Sequence, residues 1–275
     1  MPVFDTTDFS SEILFGLQKN LVAANLTNTN FYGNVVRAKT VKVLNGTDVS
    51  VQDYTPGTDL SVDSPGNADT SMTIDQYKAF AFQVDDTDEM FSNPDILSEH
   101  VNRALYQLED EADATILDTV ATGGSLTVDA QGLTSGDEAA EFAEAVRQAR
   151  VALSKQGNAP RNRGRVLVVD ADRGKLLEEY VTETLESEES AREGFIGRFA
   201  GFDIYESENV PTDSGGGTRE MVFGHQLATT FANDMEDVEI VRPDLQFENI
   251  AKGLHIYGVK VFRPDLAGSI TVDLL

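Results

Sequence analysis

The chain has 275 residues, enough to bury a full-sized core without a metal or disulfide staple. Its 47 acidic and 21 basic residues give a net charge of −26, which repels nucleic-acid phosphate and excludes a dedicated DNA-binding domain of the basic kind. With no cysteine, structural disulfides, thiolate catalysis, iron–sulfur clusters and cysteine zinc sites are excluded too.

Residues 1–34 read as an arm. Phe9, Ile13, Leu17 and Leu21 form one short stripe, and residues 25–34 are rich in Asn and Thr, an extended connector. So little apolar surface does not order itself, so a neighbouring subunit is expected to pin it. Residues 35–84 read as strands around a polar tip. Val41, Val43, Val49 and Val51 lead out, and Pro56-Gly57 and Pro65-Gly66 mark turns. Met72, Ile74, Phe80, Phe82 and Val84 share even positions, which predicts one long returning strand interrupted on its apolar face by Gln76 and Lys78. A two-stranded excursion this long is marginal alone in water, so a β-arm that packs on another subunit is expected.

A helix follows over 95–120, with Asn93 as N-cap and Pro94 in its first turn. Val101, Leu108, Ala112, Ile116 and Val120 make its stripe, and Gly123-Gly124 end it. At 1.5 Å per residue it spans about 39 Å. A second helix begins at Ser135, with Glu138 completing a capping box and Phe142, Val146, Ala149 and Leu153 on its apolar face. Residues 165–169 read as a buried strand and 172–181 as a helix. Residues 182–193 are acidic surface. Strands are predicted at 202–205, 221–223, 238–241, 254–262 and 270–274, with a short helix at 225–232. Strands and helices without regular alternation indicate an α+β chain.

The acid is spread from Asp5 to Asp273, and arginine outnumbers lysine by 13 to 8. Self-repulsion of this size is screened at about 1 M salt, where the Debye length is roughly 3 Å, so a salt-loaded cytoplasm is the expected setting. Residues 1–15 lack the basic and apolar regions of a secretory signal, and no apolar run is long enough to cross a membrane; a soluble protein made in the cytoplasm is expected.

Asp170 and Asp172 follow an apolar strand, where some phosphotransferases hold a metal, although a strand end plus helix N-cap gives the same pattern and no phosphate-cradling glycine loop follows. Residues 85–89, DDTDE, offer oxygen ligands without the glycine and distal glutamate of an EF-hand. Gly215-Gly-Gly217 lacks the lysine of a P-loop. His100, His225 and His255 match no ligand spacing, and His255, inside a strand, reads as a packing residue. One stretch is purely basic: Arg147, Arg150, Lys155, Arg161, Arg163 and Arg165, with no carboxylate between them. It reads as a docking surface for an acidic neighbour such as 182–193, or as a contact with DNA, and the chain's own charge favours the former.

The order of these pieces resembles the major capsid protein of tailed viruses, with the Hong Kong 97-type fold. Four strings carry the resemblance: residues 72–86 (MTIDQYKAFAFQVDD), 165–170 (RVLVVD), 194–205 (GFIGRFAGFDIY) with 209–211 (NVP), and 253–264 (GLHIYGVKVFRP). The resemblance implies an N-terminal arm at 1–34, an extended β-hairpin loop at 35–84, a peripheral domain with a spine helix at 85–129, an axial domain at 130–245 and closing peripheral strands at 246–275. It implies a non-enzymatic subunit that self-assembles into hexamers and pentamers of an icosahedral head. That head encloses double-stranded DNA without sequence-specific binding, without a membrane and without a cofactor or metal. The setting would be a virus of a halophilic archaeon, assembled in the host cytoplasm. Starting at Met1 directly with the arm, the chain is expected to use a separate scaffolding protein, with portal and decoration proteins as further partners. Residues 44–74 contain no lysine, so the family's covalent cross-link is not expected. Gly194, Gly197 and Gly201, with Arg198, are expected at crowded inter-subunit contacts, beside Arg147, Arg150, Arg161, Arg163 and Arg165. An encapsulin-type compartment, and a metal-dependent phosphotransferase using Asp170 and Asp172, are the alternatives.

Overall fold

The computed structural model describes residues 22–28, 40–46, 51–53, 56–57, 59, 67–85, 96–129, 138–156, 164–180, 195–212, 218–243 and 248–272. Its main core forms around β6 (Arg165–Val169), buried along its whole length because Val-Leu-Val-Val offers nothing to face water. Parallel β8 (Phe202–Glu206) and antiparallel β9 (Arg219–His225) flank it. Beyond β9 come β12 (Ala267–Val272) and β5 (Leu126–Asp129), and beyond β8 comes β7 (Phe195–Phe199), completing six strands. Helix α2 (Glu138–Lys155) buries Phe142, Val146, Ala149 and Leu153 against this sheet, and α3 (Ala171–Tyr180) follows β6 and buries Leu177.

A second sheet has the order β1 (Thr27–Asn28), β10 (Thr229–Val241), β11 (Glu248–Val261), β4 (Gln76–Asp85). Ala251, Gly253, His255 and Tyr257 alternate along β11 as its buried face. Helix α1 (Ile96–Gly123) runs 28 residues, about 42 Å at 1.5 Å per residue. It buries Ala112, Ile116, Leu117 and Val120 in the main core. It also meets the four-stranded sheet, where Thr115 Oγ1 stands 3.1 Å from the Tyr257 hydroxyl and Glu111 pairs with Lys78. A separate ribbon pairs β2 (Thr40–Gly46) with β3 (Asn67–Thr73).

Three expectations need correction. The long strand over 72–84 is two strands in two sheets: β3 pairs with β2, and after Ile74 and Asp75 the chain enters β4, which pairs with β11. Met72 and Ile74 keep even spacing across the break because both pack on Ala232, Ile256 and Phe262, so periodicity passes through a change of sheet unmarked. Residues 225–232 are not a helix. The Ala228 N–H bonds the His225 carbonyl at 2.8 Å in a turn, and Thr229, Thr230 and Phe231 enter β10, as β-branched and aromatic residues favour. Residues 22–28 are pinned by the chain's own body. Ala23 and Leu26 join the main core, the Asp113 carboxylate accepts the Val22 and Ala23 N–H groups at 3.1 and 3.2 Å, and β1 lies parallel to β10. Two buried side chains and one carboxylate hold seven residues that composition marks as unable to order themselves. Phe9, Ile13, Leu17 and Leu21, the acidic 182–193 segment and residues 86–89 lie outside the described residues.

Candidate assembly surfaces

The basic stretch splits into groups with different surroundings. Arg147, on α2, is committed internally. Its Nη1 donates to Glu144 Oε2 at 3.3 Å and its Nη2 to the Tyr180 hydroxyl at 3.1 Å. Its guanidinium lies over the Tyr180 and Phe199 rings, 5.3 and 5.5 Å from their centroids. It therefore ties α2 to the end of α3 and to β7. Arg150, one turn on, is exposed, and its Cδ lies 3.9 Å from where a Cβ on Gly201 would stand. Arg165 opens β6 and is packed, held below the ordinary arginine range by burial and then by the neighbouring Arg150 charge. Lys155 is exposed in the last turn of α2. Arg161 and Arg163 lie outside the described residues.

The β7–β8 hairpin holds the remaining candidates. Phe199 pairs with Phe202 across a two-residue turn in which Ala200 has φ +51° and Gly201 φ +88°. Positive φ at both central positions matches the right-handed twist of the strands. Glycine meets it without strain, whereas alanine there costs on the order of 1 kcal/mol. Arg198 pairs with Asp203 across the hairpin, and that neighbour raises the guanidinium's affinity for its proton. Gly197 lies within β7 at the register irregularity against β8. Gly194 lies outside the described residues. The strained Ala200 had no signal in the sequence, because only the register of two strands shows that it sits in the turn.

Asp170 closes β6 and caps α3. Its Oδ1 accepts the Arg173 N–H at 3.0 Å, its Oδ2 pairs with the buried Arg173 side chain, and Arg219 Nε stands 3.8 Å away. Glu208 completes the network, accepting the Ala171 N–H at 3.1 Å and Arg219 Nη1 at 2.8 Å; these donors hold its carboxyl below the usual range. Asp172 is exposed in the first turn of α3. A carboxylate with two arginines and a backbone donor is already satisfied, as the strand-end and N-cap reading requires. Among the described residues no group of carboxylates and histidines stands ready to hold a metal ion, and no helix is long and apolar enough to cross a membrane.

Two structural anchors escaped the sequence reading. Asp113 sits on the buried side of α1, where burial raises its carboxyl to about 7 against the pull of the Val22 and Ala23 N–H groups. An acid beside Ala112 on the apolar stripe was the available signal. Gly258 lies beneath the ribbon: a Cβ there would come within 2.8 Å of the Thr73 carbonyl oxygen, so only glycine lets the β3–β4 crossing rest on the sheet.

Residues 67–268 match the family described as phage capsid protein. Among solved structures, the chain is 27% identical to one from Mycobacterium phage Che8, with a TM-score of 0.69 over 91% of this chain and 90% of that one. The capsid structure of cyanophage P-SCSP1u matches at 18% identity and TM-score 0.66, covering 90% and 86%. The mature capsid of bacteriophage PhiM1 matches at 19% and 0.63, covering 90% and 88%. No curated protein matches the chain.

Proposed function

Because the chain belongs to the phage capsid protein family, we propose that it builds a head of hexamers and pentamers around double-stranded DNA in a virus of a salt-loaded host. Its coarser role is that of a structural, non-enzymatic major capsid protein with a Hong Kong 97-like α+β fold, a component of the virion. The observation that carries the reading is likeness along the whole chain. The match to the structure from Mycobacterium phage Che8 covers 91% of this chain and 90% of that one at a TM-score of 0.69. A shell requires each subunit to reach several neighbours through heterologous contacts, and a ribbon outside both large sheets supplies reach. The salt-adapted setting is supported by the net charge of −26. A separate scaffolding protein, a portal and a decoration protein are further proposed partners.

We also propose the division into arm, hairpin, peripheral and axial parts at 1–34, 35–84, 85–129 with 246–275, and 130–245. The direct test is assembly of the purified chain in concentrated salt, followed by sizing and electron microscopy. Closed shells with hexameric and pentameric clusters are expected. A chain that stays monomeric at high concentration and high salt would overturn the reading.

A further inference from the structure

Asp113 is a carboxyl group on α1 that is only 6% exposed, and the segment 22–28 docks on it from the other end of the chain. Its Oδ2 accepts the Val22 N–H at 3.1 Å and its Oδ1 the Ala23 N–H at 3.2 Å. Ala23 and Leu26 enter the main core, and β1 finishes the segment against β10. Residues 1–21 therefore depart from a point that this carboxyl holds. Glu109 and Asp110 stand four and three positions earlier on the same helix, where like charges meet. Asp110 is itself tied to Asn209, accepting its Nδ2 at 2.6 Å. Burial and like charge favour the protonated carboxyl, and the two N–H donors favour the ionised one.

We propose that Asp113 is a proton-controlled latch on the root of the N-terminal segment, closed while its carboxyl is protonated and loosened once it ionises. Burial outweighs the two donors and sets the docked carboxyl at about 7, whereas undocking returns it to water and to its ordinary 3.8. Between those values the docked form holds a proton that the undocked form has lost. Docking therefore weakens up to tenfold per pH unit as pH rises from about 4, and the loss is complete above about 7. The charges acting on Asp113 are Glu109 and Asp110. Of the elements packed on α1, residues 22–28 and β12 carry no titratable side chain. On β9, Arg219 pairs with Glu208, and Glu220 and His225 complete the titratable groups of that strand. The β11 face brings His255 and Tyr257, and β4 brings Lys78; Tyr257 meets Thr115 and Lys78 meets Glu111. The device makes the point of departure of residues 1–21 adjustable by pH.

The test is amide hydrogen exchange of the full chain at pH 5, 6, 7 and 8 and fixed salt, read by mass spectrometry on peptides spanning residues 22–28 and corrected for the intrinsic pH dependence of exchange. Protection of these amides should fall up to tenfold per unit between pH 5 and about 7 and then level off. Amides of β6, which open only with the whole core, should stay more protected at every pH. Constant protection of 22–28 from pH 5 to 8 overturns the latch, and so does a loss that merely follows β6. Asp113→Asn keeps an acceptor but cannot ionise, so its protection should not change with pH; a slope like that of wild type would assign the effect to another group and overturn the latch. Should Asp113→Asn fail to fold, the wild-type chain decides alone: the carboxyl carbon of Asp113, followed by ¹³C NMR, should titrate together with the loss of protection, and a midpoint below about 5 overturns the latch. None of these readings requires a shell, so the latch and the capsid reading fail separately.

Discussion

Asp113 and His255 pull the pH dependence of stability in opposite directions. Burial raises Asp113 to about 7, so between about 4 and 7 the folded chain holds a proton that the unfolded chain has lost. Its contribution is present below the ordinary carboxylate range and is lost as pH rises through about 7. His255 is fully buried, its ring nitrogens have no partner among the described residues, and burial lowers it to about 4. Its contribution is present above the ordinary histidine value of 6.5 and is lost as pH falls toward 4. Each effect is on the order of a few kcal/mol, and they largely offset between pH 4 and 6.5. Melting temperatures at fixed salt should therefore slope upward with pH in Asp113→Asn and downward in His255→Phe across that window; parallel profiles in both variants would refute the assignment. At Asp170 the expected outcome is structural. Asp170→Ala removes a helix cap and strands the buried Arg173, which should destabilise the chain by about 3–5 kcal/mol in denaturant unfolding. A loss of less than about 1 kcal/mol would contradict the network described.

Among the elements, those with strong local signals were legible. The stripe of Val101, Leu108, Ala112, Ile116 and Val120 gave α1 to within a turn, and the uninterrupted apolar run gave β6 residue for residue. The ribbon shows where local signals stop. Even spacing from Met72 to Val84 is compatible with one strand or two, because a bend at Ile74 and Asp75 preserves the face each residue uses. Gly258 is the position that decides the crossing. Gly258→Val should clash with the Thr73 carbonyl, cost about 1–3 kcal/mol as overpacking does, and expose the Thr73–Asp75 link to limited proteolysis. Cleavage as slow as in wild type would show that the ribbon does not rest there. The 225–232 segment failed for a related reason: its residues carry no helical stripe strong enough to resist pairing with β11.

For the whole molecule, charge governs behaviour more than any one contact. With a net charge of −26, the unassembled subunit should gain at least several degrees in melting temperature between about 0.05 and 1 M NaCl, as the Debye length contracts from above 10 Å to roughly 3 Å. A melting temperature independent of salt would remove the argument for a salt-loaded setting. The same excess of acid makes cations scarce, so how each is used becomes informative. Arg147, Arg173, Arg198 and Arg219 are engaged by the chain itself, while Arg150 and Arg165 are not paired among the described residues.

The sequence by itself determined the fold class, the long helix, the buried central strand, the exclusion of thiol and P-loop chemistry, and the likeness to tailed-virus capsid subunits. These depend on composition, on periods of 2 and 3.6, and on the order of segments, all written along the chain. Tertiary structure alone decided that residues 22–28 fasten to Asp113, that one apparent strand serves two sheets, that Ala200 occupies a strained turn, and that Arg147 of the basic stretch is committed to Glu144 and Tyr180 of its own chain. Each of these hangs on residues far apart in sequence: Asp113 is 91 positions from Val22, and no local pattern records which distant group a side chain will meet.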